Sequence, residues 1–389
     1  MAAAPRVSGS RVGRRAFLGG LAAAAAGCVA LTPRAARAED VFTVGVLLPA
    51  DADKATELGR GAALGLDDAN ALATLFGKRL RLETEVDRGD GQAGRALARA
   101  GALAIVGGAG PGGGEALLQA AGGGAPVLNV SAPDDRLRNE GCDRRAFHLA
   151  PSVSMYVDAL AQVLIEQRKL ARWALVGDGS PRGGEIEAAA RRSVAARGGT
   201  VIAEAAAADI VLLAVDDRGA DAALARAIAD GRRPDRIAGV GEAGLRLPVE
   251  RAAGLWALGW HYELERFSAR ELNGRFRRRF SAPLAETSWA AWAAVKLAGE
   301  AVVRSGAGDG AALVAFMESA PPFDGHKGEA LTFRKWDHQL RQPLYVVGPR
   351  KREEVGGAVG PYAMLADAGG KNLDALGTTM AESRCRFTP

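Results

Sequence analysis

Two hydrophobic periods take turns along this chain. Residues 41–49, VFTVGVLLP, form a short β-branched apolar run that stops at Pro49; a continuous apolar run of this length suits a strand buried on both faces. Residues 58–72 then carry apolar side chains at helical spacing, with Asp67 and Asp68 turned outward. The order repeats: strand at 80–86, helix at 92–100, strand in LAIVGG (103–108), helix over EALLQAAG, strand in APVLNVSAP. Strands and helices succeeding one another at short intervals predict a parallel α/β sheet.

The pattern restarts at residue 152. A helix over 152–167 is followed by the strand RWALVGDGS, a helix at 184–196, the strands TVIAEA and DIVLLAV, a helix from Asp221, and the strands RIAGVGEAG and GLWALGWHY. Two α/β sheets with no long linker imply two lobes sharing one chain. Helices at 269–280 and 288–303 come next, and strands near 331–333 and 343–347 finish the pattern. Between the last two lies FRKWDHQLRQP (333–343), too polar for a core strand and without a helical stripe. LTF, the turn RKWDHQ and the returning run LRQPLYVV predict a hairpin-like segment. Asp337 paired with Arg334 or Arg341, with Pro343 marking an edge, is one reading of it; a ligand contact through Trp336 and Arg341 is the other.

The first 38 residues read as an export signal rather than as part of the fold. Arg14 and Arg15 precede Phe17 and Leu18, an Ala-rich apolar run reaches Leu31, and Ala36-Arg37-Ala38 offers a small-x-small cleavage site before Glu39. The paired arginines resemble the twin-arginine export signal. The apolar stretch is too short and too rich in Ala and Gly for a membrane span. A periplasmic protein of two domains is expected, its chain cleaved after Ala38. Cleavage removes Cys28 and leaves Cys142 and Cys385, which in an oxidising compartment can close only one disulfide.

Charge adds little. The chain has 50 Lys+Arg against 45 Asp+Glu, but Arg6, Arg11, Arg14, Arg15, Arg34 and Arg37 lie in the signal, so the exported part is close to neutral. No basic stripe interleaved with aromatics suggests nucleic acid. The four histidines (His148, His261, His326, His338) show no metal-ligand spacing. No nucleophile elbow, phosphate loop or metal motif appears, so an enzyme is not expected; GVGEAG and GGAGPGGG are weak glycine patterns. A sensor domain for a membrane partner is a further class, separable only by its partner.

The order VGVLLP, GRGAALGLDDANA, LAIVGG, APVLNVSAP, FHLAPSVSMYVDAL, WALVGDGS and FDGHKGEALTF resembles the type I periplasmic solute-binding proteins of ABC transporters, the branched-chain amino-acid-binding group in particular. That resemblance implies a two-lobed α/β fold of parallel doubly wound sheets joined by a three-strand hinge. Lobe 1 would comprise 39–148 and 265–323, and lobe 2 would comprise 149–264 and 324–389. It also implies a monomer that captures a small molecule between the lobes, hands it to a membrane permease, and needs no catalytic cofactor. Strand ends and interlobe clefts are where such ligands sit.

Amino-acid-binding members hold the α-carboxylate with hydroxyl side chains in two loops. Here the first loop is GGAGPGGG (107–114), without Ser or Thr; its Gly108, Ala109 and Gly110 form either an anion nest or a plain turn. The second, SAPDD, keeps Ser131 but has Pro133 and Asp134 where Ala-Thr is usual. Glu242 matches the family carboxylate for an ammonium group. The segment FRKWDHQLRQP and the terminal ESRCRF resemble a subfamily encoded beside PQQ-dependent alcohol dehydrogenase systems, which implies pyrroloquinoline quinone (PQQ) as the ligand; branched-chain amino acids or other small organic acids are the alternative. A flat tricarboxylate needs aromatic faces and Arg forks. Trp289 and Trp292, three apart on one helix face, Trp260 at the hinge, and Arg182, Trp336 and Arg341 are the candidates; for the Trp289/Trp292 pair a core stripe is the other reading, and for Arg182 a solvated surface.

Overall fold

The computed structural model describes residues 40–108, 113–121, 124–246, 252–350, 361–370 and 372–387. The export segment, the start at Glu39, and Ala109 and Gly110 lie outside the described residues. The first sheet is built from β1 (Asp40–Pro49), β2 (Lys78–Asp87), β3 (Ala102–Gly107), β4 (Val127–Asn129) and β5 (Ala146–His148), in the order β2-β1-β3-β4-β5. Every pairing in it is parallel. Val44, Val46, Ala104, Ile105, Val106, Val127 and Leu128 are fully buried, so the apolar runs read as strands covered on both faces. The helices α1 (Ala52–Ala73), α2 (Gln92–Arg99) and α3 (Gly113–Ala121) are the crossovers.

The second sheet begins after α4 (Val153–Ala161). Its strands are β6 (Arg172–Gly177), β7 (Thr200–Val201), β8 (Ile210–Ala214), β9 (Ile237–Val240) and β10 (Leu255–Leu258), with α5 (Pro181–Ala196) and α6 (Ala220–Ala229) between them. The chain returns through α7 (Ala269–Phe280), α8 (Glu286–Arg304) and α9 (Gly310–Glu318). A small antiparallel sheet follows, from β11 (Phe323–Asp324), β12 (Ala330–Phe333) and β13 (Leu340–Arg341). β14 (Leu344–Pro349) and β15 (Tyr362–Ala368) then add two antiparallel strands beyond β10, with β15 at the edge, giving the order β15-β14-β10-β9-β8-β6-β7.

The long α1 and α8 are in intimate contact. A methyl group at Gly61 would run into the Ser288 carbonyl, and one at Gly65 would come within 2.5 Å of the Trp292 carbonyl. These glycines let two backbones approach, and α8 turns its apolar side into the first core, where Ala290, Ala291, Ala294, Val295 and Ala298 are buried.

The chain passes between the two sheets three times: at 149–152, at 259–268 and at 342–343. LRQPLYVV, expected as one returning strand, is broken at Pro343. β13 stays with β12, and β14 crosses to the large sheet, because Pro343 has no N–H to continue a ladder. Residues 324–341, expected in lobe 2, contribute Leu331, Phe333 and Leu340 to the first core.

Candidate functional site

Parallel sheets bring the C-terminal ends of their strands, and the helix N-termini that follow, to one edge. Here the two edges face each other across a cleft of about 320 Å³. Asn129 shapes one wall. Its Oδ1 accepts the Ser131 and Ala132 N–H groups (3.2 and 2.8 Å), and its Nδ2 donates to the Ala132 carbonyl (2.7 Å). Gly108 sits against that amide at φ +116°, where a Cβ would come within 2.5 Å of Asn129 Oδ1; the position needs glycine for both reasons. Ser131 Oγ is buried without a hydrogen-bond partner.

Lys54 enters from the first turn of α1, whose cap Asp51 accepts the Asp53 and Lys54 N–H groups. Its ammonium lies 3.5 Å from Asp217, in the loop after β8 on the opposite wall. Arg182, in the first turn of α5, is 3.8 Å from Glu185. Burial, with Asp134 nearby, pushes the Glu185 carboxyl up to about 7. The cleft floor holds Tyr156 from α4, Glu242 from the loop after β9, and Glu286 at the N-terminus of α8. The Tyr156 hydroxyl donates to Glu286 Oε1, and the Glu286 N–H donates to the Glu242 carboxylate. Burial raises the Tyr156 hydroxyl well above its ordinary value, with the Glu286 charge adding to it, and burial raises Glu286 too. Among the described lining residues the carboxylates Asp134, Asp216, Asp217, Glu242 and Glu286 outnumber the cations Lys54, Arg182 and Arg218.

Behind the floor, a buried polar network joins the crossings. Gln339 donates to the carbonyls of His148 and Ala150 (both 3.1 Å) and accepts from Arg138 Nε (2.8 Å). Arg138 also donates to Ala132 O on the cleft loop (2.9 Å) and to Ala150 O (2.8 Å); burial holds its guanidinium down to about 10. Gln342 donates to Leu149 O (2.7 Å), and Lys327 donates to Gln342 Oε1 (2.6 Å) and to Gly259 O. Lys327 therefore ties the second crossing to the third, and burial lowers it to about 7. Arg334 pairs with Asp337 at 3.7 Å, both buried. The polar segment 333–343 is thus an inward-facing brace, since its side chains satisfy backbone carbonyls that extended crossings leave unpaired.

A fourth link is covalent. Cys142 and Cys385 form a disulfide with Cα atoms 5.7 Å apart. The tail leading to it touches both lobes: Gly377 N–H donates to Asp158 on α4 (2.8 Å), and Arg384 N–H donates to Asn139 beside the first sheet (3.2 Å).

Of the expected ligand residues, Gly108, Ser131, Arg182 and Glu242 line the cleft. Trp260, Trp289 and Trp292 do not; they are core, at most 1 % exposed. Trp260 and Trp289 stack at 5.6 Å, and each indole N–H is satisfied internally: Trp260 on Asn273 (3.1 Å), Trp289 on Gly325 O (3.0 Å), Trp292 on Asp68 (2.8 Å). Trp336 lies under the Arg334 guanidinium, and Arg341 bonds Asp374 (2.9 Å); both are outside the cleft wall. Sequence reasoning missed Lys54, Tyr156, Asp216, Asp217 and Glu286.

The fold is shared with solved proteins. An amino acid ABC transporter substrate-binding protein from Pseudomonas fluorescens Pf-5 is 16 % identical and superposes with a TM-score of 0.74 over 90 % of this chain and 100 % of that one. The leucine-, isoleucine-, valine-, threonine- and alanine-binding protein of Brucella ovis, in its closed conformation, gives 0.76 at 15 % identity over 90 % and 99 %. A solute-binding protein of an ABC transporter from Rhodopseudomonas palustris BisB5, in complex with 3,4-dihydroxybenzoic acid, gives 0.67 at 15 % over 85 % and 97 %. No curated protein matches the chain. The family model described as periplasmic binding protein matches residues 42–353, most of the chain, and the chain belongs to that family.

Proposed function

We propose that this solute-binding protein captures a small amino-acid-like solute in the interlobe cleft and delivers it to an ABC-type membrane permease, after export directed by residues 1–38 and cleavage before Glu39. The carrying observation is the mixed charge of the facing walls, with Glu242 and Glu286 at the floor and Lys54 and Arg182 at the sides. A zwitterion finds both partners there. PQQ finds less: Tyr156 is the one aromatic ring among the described lining residues, and five carboxylates face three cations, which opposes a trianion. The names of the Brucella ovis and Pseudomonas fluorescens neighbours support the amino-acid reading.

Isothermal titration of the exported protein with leucine, isoleucine, valine and PQQ tests it. An amino acid is expected to bind at micromolar or tighter Kd, and Glu242→Ala to weaken it at least about 100-fold, the loss expected for a desolvated charge pair. Tight PQQ binding with no binding of any small amino compound rejects the reading.

A further inference from the structure

The five arginines of α7 divide into two sets. Arg275 and Arg279 turn to α1 and pair with Asp68 and Asp67. Arg270, Arg277 and Arg278 are exposed on a different face and carry no ion pair among the described residues. Their i, i+7, i+8 spacing puts them on one stripe, with Gly274 between them. Gly274 adds no side chain there, and the nearest atom a methyl group would meet is Arg278 Nη1 at 3.3 Å. With Arg266 and Arg350 these arginines line an open groove of about 850 Å³ that shares no described residue with the cleft. Its described lining holds five guanidinium groups but only two carboxylates, Glu263 and Glu265. Glu263 is taken by Arg350, and Arg266 reaches Asp367 at 3.4 Å, so Glu265 alone is left to offset the three unpaired arginines. The helix dipole does not account for the set. It favours Arg277 and Arg278 in the last turn of α7 but disfavours Arg270 in the first turn and Arg266 just ahead of it. Like charges gathered in one recess repel, and an anion entering it removes that repulsion.

We propose that this groove is a second ligand site, for a compact polyanion whose carboxylate or phosphate oxygens are held by the guanidinium forks of Arg270, Arg277 and Arg278. A recess suits a small occupant better than a membrane, whose headgroups form a broad sheet and meet protruding cations. The lining comes from α7 of the first lobe, from the crossing at 262–266 and, through Arg350 and Met364, from the β14–β15 pair of the second sheet. The occupant therefore spans the hinge. The site is exposed and screened by salt, so its anion exchanges with solvent and is not carried through purification.

Tripolyphosphate and citrate, with acetate as a monoanion control and putrescine as a cation control, are titrated calorimetrically into the exported protein at about 0.15 M NaCl, where charges are screened beyond about 8 Å. At least one polyanion is expected to bind with a Kd of about 0.1 mM or tighter, and both controls at least about 10-fold more weakly. Arg277→Gln/Arg278→Gln should lose at least about 10-fold, the scale of hydrogen bonds to charged groups, while Arg88→Gln/Arg99→Gln, which removes the same charge from exposed positions on the first lobe, should stay within about twofold. Hydrogen exchange at residues 262–278 should slow when the polyanion is bound. All four variant positions are exposed, and thermal unfolding within a few degrees of the native protein checks that each variant is folded. Arg270→Gln, tested alone, gives a second reading and should lose at least about threefold. Equal losses in the two double variants, a loss in the cleft variant Arg182→Gln instead, or acetate binding as tightly as the polyanions overturns the inference. So does the absence of polyanion binding, including the case in which anionic phosphatidylglycerol vesicles are captured and neither free polyanion is. None of these outcomes bears on the amino-acid reading of the cleft.

Discussion

Opening the Cys142–Cys385 disulfide should cost stability out of proportion to one bond, because of the length of chain it closes. The two cysteines are 243 residues apart. In the chain-entropy treatment the denatured state loses about 2.1 + 1.5R ln n cal/mol/K, which for this loop is about 18 cal/mol/K, or about 5.5 kcal/mol at 25 °C. The usual yield is lower, so a loss of about 3–5 kcal/mol is expected for the double variant C142S/C385S. The six tryptophans, three of them in the first core, report unfolding by fluorescence in guanidinium chloride. With a slope of about 5 kcal/mol/M for a chain of this size, the midpoint should fall by about 0.6–1 M. The same shift should appear when the native protein is reduced and alkylated. An unchanged midpoint, with mass spectrometry showing both thiols free in the reduced sample, would refute the reasoning and make the tail a dispensable appendage.

Other perturbations separate core from cleft. Trp289→Ala should cost about 3–5 kcal/mol of stability, measured by denaturation, and leave ligand affinity within a fewfold; a large affinity loss at unchanged stability would put the ring back on the cleft wall. Gln339→Ala strands Arg138 Nε and the His148 carbonyl, while Ala150 O keeps its Arg138 donor, and should cost about 2–4 kcal/mol, read from the same denaturation curves; a cost under about 0.5 kcal/mol would dismiss the brace. His261 is 1 % exposed with neither ring nitrogen bonded, and burial, aided by Arg350, lowers it to about 3. Unfolding raises it toward about 6.5, so the unfolded chain binds the extra proton and the native protein loses stability as pH falls below 6.5. Relative to native, His261→Phe should therefore gain about 2–3 kcal/mol between pH 6.5 and 4. A stability difference that does not change with pH would contradict this.

The alternation of periods located most of the sheet strands and their crossover helices, because a fully covered strand must be apolar throughout and an amphipathic helix must repeat every 3.6 residues. It missed the short β5 and the edge strand β15, whose alternation is broken or only a few residues long. The tryptophan pair shows the limit. Spacing puts Trp289 and Trp292 on one face of α8, but which way that face points is set by Gly61 and Gly65 of α1, which fix the approach of the two helices. The segment 333–343 reads as an ion-paired edge hairpin or a ligand contact because its residues are polar; most of it is buried because the interlobe crossings present carbonyls that polar side chains satisfy. Tyr156 and Glu286, 130 residues apart, have no common motif, and only the sheet topology brings them to one floor. The cysteine pair was legible because two thiols leave no other partner.

Native mass spectrometry of the protein purified from cells that export it tests the central claim most directly, since the cleft either retains its solute through purification or does not. The account predicts one small bound molecule containing a basic nitrogen, released on unfolding, absent from Glu242→Ala, and without absorbance beyond that of the protein. A bound aromatic polycarboxylate with a quinone spectrum would contradict it.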